Sequence, residues 1–277
     1  MSKDRINRRF AALAAEDRAA FVAYVMAGDP DRDTAMAILK GLPAAGADLI
    51  ELGFPFSDPM AEGPTIQLAS QRALAGGMTL AGTLAMVAEF RQSDDETPVI
   101  LMGYLNPLLN HGYETFARDA AAAGVDGLIV VDCPPEEADP LADAVDTVGI
   151  SLIRLAAPTT DARRLPAVIR RTSGFLYYVS VAGVTGVKEA DADAVAPAVA
   201  RLKAASGLPV AVGFGIRTPE RAAEVARVAD AVVVGSALVD EIAGALDAGT
   251  NENVTSKVLS KAASLAKAVR SARVRDA

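Results

Sequence analysis

The chain has 277 residues, a formal net charge of −8 and 51% hydrophobic residues. That composition supports a large buried core, excludes a disordered chain, and gives no general attraction for nucleic acid or anionic membrane. One cysteine and one histidine exclude an intramolecular disulfide and a zinc site of the usual His/Cys type. A Ser-His-Asp triad is excluded too, unless His111 is its base. Alanine supplies roughly one residue in five, which favours closely packed helices.

At the N-terminal end, Arg5, Arg8 and Arg9 give a basic stretch of the kind found in transit peptides. Ile6, Phe10 and Leu13 nevertheless recur at helical spacing, and Asp4, Glu16 and Asp17 interrupt the positive character. A helix packed on the domain is the better reading, and the cytoplasm the expected location. No apolar run approaches the ~18 residues of a membrane span.

Eight short apolar runs follow, at 21–26, 47–53, 98–104, 127–132, 151–156, 174–180, 208–215 and 229–236. Most are nearly continuous in Val, Ile, Leu or Tyr, as strands buried on both faces are. Between them, 31–45, 113–123, 135–148, 161–171, 191–205 and 219–228 are long enough for crossover helices. Thr218 before Pro219 reads as an N-cap, and Gly46, Gly124, Gly149 and Gly207 as C-terminal stops. Alternating strands and helices predict a single (β/α)8 TIM barrel over 1–277 with extra terminal helices. A doubly wound sheet is the competitor, weakened because no Gly-x-Gly-x-x-Gly follows the first strand. Residues 251–277 predict a last helix with an apolar stripe of Val258, Ala262, Leu265 and Val269 and a solvated basic face.

A barrel carries its reacting groups at the C-terminal ends of its strands. Glu51 interrupts the second strand and shares a face with Leu49 and Gly53. It is either a structural acid paired with donors or a catalytic acid whose burial makes it easier to protonate near neutral pH. The loop 55–67 brings a second set of acids, Asp58 and Glu62. Glycines cluster after the last three strands, at Gly183 and Gly186, at Gly213 and Gly215, and at Gly235 beside Ser236. They either make tight turns or present backbone N–H groups to a phosphate, which an acidic protein could bind by no basic patch. All seven lysines lie outside the predicted strands, which argues against a Schiff-base aldolase. Tyr24, Tyr104, Tyr177 and Phe214, near strand ends, line a pocket for a flat apolar group or simply pack the core. The segment 183–193 is long for a βα loop and could close as a lid.

The run Leu49-Ile50-Glu51-Leu52-Gly53-Phe54-Pro55-Phe56-Ser57-Asp58-Pro59-Met60-Ala61-Glu62-Gly63-Pro64-Thr65-Ile66-Gln67 resembles the signature of the tryptophan synthase alpha chain family. Ala27-Gly28-Asp29-Pro30, Met102-Gly103-Tyr104-Leu105-Asn106-Pro107, Gly183-Val184-Thr185-Gly186 and Gly213-Phe214-Gly215-Ile216 extend the resemblance in order along the chain. It implies a lyase that cleaves indole-3-glycerol phosphate to indole and glyceraldehyde 3-phosphate without a metal or cofactor of its own. It also implies a beta-chain partner, in an alpha2-beta2 complex, that carries pyridoxal phosphate. By the same resemblance Glu51 is the general acid/base, and Glu62 stands where the family has an aspartate that binds the indole N–H. Gly186, Gly215, Gly235 and Ser236 match the phosphate site. Tyr24, Met102, Tyr104, Ile129, Tyr177, Thr185 and Phe214 surround indole and glycerol, and Asp58 faces the partner. Two departures stand out: Glu62 is one methylene longer than the family's aspartate, and Tyr24 replaces a phenylalanine. The alternatives are a free-standing indole-glycerol-phosphate lyase and a weakly catalytic activator of the beta chain.

Overall fold

Branched apolar residues dominate the strands because each is covered by the barrel interior on one face and by helices on the other. In a computed structural model, which describes residues 3–179, 192–213 and 215–273, all eight predicted strands form. They are β1 (Ala20–Met26), β2 (Leu49–Gly53), β3 (Val99–Gly103), β4 (Gly127–Val130), β5 (Ser151–Ala156), β6 (Leu176–Val179), β7 (Val210–Gly213) and β8 (Ala231–Val234). Every neighbouring pair is parallel, and β8 closes onto β1. The architecture is a (β/α)8 barrel.

Helix α1 (Lys3–Ala15) turns Ile6, Phe10 and Leu13 into the core, with the Phe10 ring 5.6 Å from that of Phe175. The crossover helices are α2 (Arg32–Gly41), α3 (Pro64–Ala75), α4 (Leu80–Arg91), α5 (Leu105–His111), α6 (Tyr113–Ala123), α7 (Asp139–Thr147), α8 (Leu165–Ile169), α9 (Ala192–Ser206), α10 (Pro219–Ala226) and α11 (Ser236–Asp247). The last, α12 (Val254–Ser271), buries the expected stripe of Val258, Ala262, Leu265 and Val269. Thr218 caps α10 by accepting the Arg221 N–H, as its place before Pro219 suggests. The loop expected over 55–67 is shorter than that, because Pro64 occupies the first turn of α3, where its missing N–H costs nothing. Helix α8 is much shorter than the expected 161–171. The Asp161 carboxylate instead accepts the N–H groups of Arg163 and Arg164, holding that stretch in a turn. Among the described residues no single helix is long and apolar enough to cross a membrane.

One pattern repeats around the N-terminal rim. Asp48, Asp126 and Asp230 immediately precede β2 and lead into β4 and β8, and each accepts a backbone N–H from the strand before. The donors are Phe21, Val99 and Val210, all at 2.9 Å. Ser173, ahead of β6, accepts from Leu152 at 3.2 Å. Every second strand is thus latched to its predecessor by one short side chain. Asp48 also takes both Nη groups of Arg18 at 2.9 Å, and Asp126 is held by Arg5 and Arg91.

Candidate active site at the barrel mouth

Register decides which side chains meet. Tyr24, Glu51 and Ile100 are direct partners across β1, β2 and β3, so all three enter the barrel at one level. At the C-terminal end of the strands Tyr24 and Glu51, but not Ile100, open into a cleft. Eight residues expected at the site line it: Tyr24, Glu51, Glu62, Met102, Tyr177, Gly215, Gly235 and Ser236. Ile66, Ile216 and Val233 complete the wall and were not expected. Val233 was legible in principle, since it lies two residues before Gly235 on the inward face of β8.

Glu51 is 1% exposed, and neither carboxyl oxygen has a hydrogen-bond partner among the described residues. Burial, reinforced by the like charge of Glu62, pushes its pKa from an ordinary 4.5 to about 8. Of the two readings of this residue, the structural one requires paired donors, and among the described residues there are none. A pKa raised to about 8 favours the protonated acid near neutral pH. Glu62, 7% exposed, lies on the loop ahead of α3, and Gln67 fixes its backbone by donating Nε2–H to the Glu62 carbonyl at 2.9 Å. Ser70 ties the loop's other end, accepting from the Phe56 N–H and donating to the Phe56 carbonyl. The carboxylate of Asp29, in the loop after β1, takes Arg72 of α3 in a two-pronged pair at 2.6 and 2.9 Å.

The glycines at strand ends divide into two sets. Some make room for rings: a Cβ on Gly213 would stand 2.7 Å from Tyr177 Cζ, and one on Gly53 2.9 Å from Tyr24 Cζ. Gly103 likewise accommodates Phe54. Gly213, read in the sequence as part of the glycine cluster after the last strands, is therefore a seat for Tyr177. Gly215 and Gly235 belong to the second set. Gly215 has a φ of +76°, and Gly235 precedes α11, whose first N–H groups have no acceptor within the helix. Asp240 of α11 joins the two halves of the mouth, accepting from Thr65 Oγ1 at 2.9 Å and pairing with Arg217.

Other expected residues lie elsewhere. Ile129 is fully buried between Met102 and Ile153 on the adjoining strands and is not part of the lining. Tyr104 stacks on Phe56 at 5.1 Å, and its hydroxyl accepts the Ala61 N–H at 2.9 Å, so it shapes the Glu62 loop from behind. Asp58 is exposed at the rim, close to Met60, which is 73% exposed. Thr185, Gly186 and Phe214, and the expected lid over 183–193 up to residue 191, lie outside the described residues. No cluster of three or more metal-ligating side chains occurs among the described residues.

Fold and pocket together define a (β/α)8 barrel with two carboxyl groups at its C-terminal mouth. The family model described as tryptophan synthase alpha chain matches residues 10–270. A tryptophan synthase alpha chain from Caulobacter vibrioides is 76% identical over 274 residues, covering 99% of each chain. One from Gluconacetobacter diazotrophicus is 56% identical, covering 97% of this chain and 99% of the relative. The crystal structure of tryptophan synthase subunit alpha from Legionella pneumophila superposes with a TM-score of 0.89 at 43% identity, covering 96% and 98% of the two chains. The chain belongs to the tryptophan synthase alpha chain family.

Proposed function

We infer that this chain is a carbon–carbon lyase that cleaves indole-3-glycerol phosphate to indole and glyceraldehyde 3-phosphate, with a beta chain as its partner. The observation that carries the chemistry is Glu51, a buried acid with a raised pKa and no hydrogen-bond partner among the described residues, in the same cleft as a second carboxyl group. Glu51 delivers its proton to the indole ring carbon that bears the glycerol chain. Glu62 accepts the indole N–H and offsets the positive charge that develops on the ring. As the carbon–carbon bond breaks, its electrons return to the ring. The glycerol hydroxyl beside the bond loses its proton to Glu51 or a neighbouring base and becomes the aldehyde, so one proton is given and one taken.

Tyr24, Met102 and Tyr177 enclose the indole and glycerol, with Tyr104 shaping the Glu62 loop behind them, and the family resemblance adds Thr185 and Phe214. The backbone N–H groups of Gly186, Gly215, Gly235 and Ser236 hold the phosphate, aided by the dipole of α11. This solves the charge problem of a chain at −8, because the donors are neutral. Asp58 faces the partner in an alpha2-beta2 complex, and the exposed Met60 beside it gives that rim an apolar element. The chain needs no cofactor, pyridoxal phosphate belongs to the beta chain, and the location is the cytoplasm.

The test is indole release from indole-3-glycerol phosphate by the purified chain, with and without a beta chain. Strong stimulation by the partner is expected; release unaffected by it would make the chain a free-standing lyase, and no release in either case would overturn the reading. Within this assay Glu62→Asp retains measurable cleavage, since a carboxylate remains on the same loop. Glu62→Ala loses most of it, by about 100-fold or more as for other transition-state hydrogen-bonding groups. Equal rates for Glu62→Ala and the parent would remove Glu62 from the mechanism.

A further inference from the structure

Tyr24 and Glu51 are direct neighbours across β1 and β2, and both point into the barrel. The Tyr24 ring leans across toward β2 and sets its hydroxyl over Gly53, where a Cβ would collide with it. Glu51 and Gly53 share a face, so this hydroxyl stands on the mouth side of the Glu51 carboxyl group. The titratable groups facing Glu51 among the described residues are Tyr24 from β1, Tyr177 from β6 and Glu62 from the loop before α3. Asp29 and Tyr104 act on Tyr24 from further out.

Once Glu51 has given up its proton, a carboxylate is left in a buried site where the charge acting on it is the like charge of Glu62. An anion so placed is costly unless a donor reaches it. We propose that the Tyr24 hydroxyl is that donor: as Glu51 ionises, its side chain turns toward the mouth and accepts the phenolic O–H, so Tyr24 is a positioning residue for the acid step. Burial and the two glutamates hold the phenol well above its ordinary pKa of 10, so it remains a donor and never competes as a base. A donor that engages only the ionised acid strengthens as charge develops and so acts on kcat. The inference rests on reading Glu51 as the acid.

The experiment compares Tyr24→Phe, Glu51→Gln and the parent, each assembled with a beta chain, for indole release as a function of pH. Carboxyl 13C NMR follows the titration of Glu51 directly. In Tyr24→Phe, kcat is expected to fall about tenfold with KM unchanged, the size of one charge-assisted hydrogen bond. The alkaline limb of the rate profile and the Glu51 resonance both move up by about one pH unit, since the carboxylate has lost its donor. An inactive Glu51→Gln together with a Tyr24→Phe whose limb and resonance stay in place overturns the role of Tyr24 and leaves that of Glu51 standing. A fall in kcat with the limb unmoved also overturns it, because that is the mark of altered packing. Unimpaired cleavage by Glu51→Gln overturns both.

Discussion

Glu51→Gln is expected to lower indole release by about 100-fold to 10,000-fold, the range typical of a lost general acid, while the protein becomes no less stable. Glutamine keeps the volume of the side chain and removes only the transferable proton. The wild-type residue is held at about pH 8, so the parent should lose activity as pH rises through that value and the acid ionises. The same shift acts on stability in the opposite sense from an ordinary ion-paired carboxylate. Below pH 4.5 the acid is neutral whether the chain is folded or not, and it costs nothing. Between 4.5 and about 8 the unfolded chain ionises while the folded one stays neutral, so stability falls across that window. At pH 7 the cost approaches ~3 kcal/mol as an upper bound. Glutamine does not ionise, so the variant should equal the parent in stability at pH 4 and exceed it at pH 7. Among the described residues the unpartnered amide replaces an equally unpartnered carboxylic acid, so its burial leaves this comparison unchanged. Thermal melts at the two pH values, beside the rate assay, separate a lost proton donor from a damaged fold. A variant that melts lower than the parent at pH 7 contradicts the burial account of Glu51.

Strands were readable in this sequence because a strand covered on both faces is written as a nearly unbroken branched apolar run. Glu51 was conspicuous for the same reason: Asp48, Asp132 and Asp230 stand at or next to the ends of their runs, whereas Glu51 sits among apolar residues, and alternation alone put it on the face of Leu49 and Gly53. Depth was not readable. Ile129 shares the inward face of its strand as Met102 does, yet Met102 lines the cleft and Ile129 is sealed between strands, a difference set by barrel tilt and stagger rather than by period. Gly213 and Gly215 look alike in sequence, but one yields space to the Tyr177 ring and the other turns the chain at positive φ. Only long-range packing distinguishes them. The supports of Glu62 were equally hidden, because Gln67, Ser70 and Arg72 look like an ordinary polar face of α3 until their partners are in place.

The N-terminal rim carries the largest expected effect on stability. Asp126 is completely buried and accepts from Val99 N–H at 2.9 Å, Arg91 Nη2 at 2.6 Å and Arg5 Nη1 at 3.0 Å. It therefore joins β3 to β4, anchors α1, and neutralises two guanidinium groups of which the Arg91 side chain is itself 9% exposed. Asp126→Ala removes the acceptor and leaves those cations without their buried counter-charge. Breaking a buried pair from one side costs about 3–5 kcal/mol, far more than the pair adds relative to an apolar replacement. Asp126→Asn keeps an acceptor oxygen for one donor and should fall between. Urea unfolding followed by circular dichroism reads this as a lower midpoint at unchanged slope. Because Asp126 lies at the end of the barrel opposite the cleft, the folded fraction of either variant should cleave substrate at the parental rate. The distinction matters for Glu51, whose replacement is expected to act in reverse, silencing the chemistry and sparing the fold. A loss below ~1 kcal/mol in Asp126→Ala would mean that Arg5 and Arg91 reach water once the carboxylate is gone, and that the latch contributes only its backbone hydrogen bond.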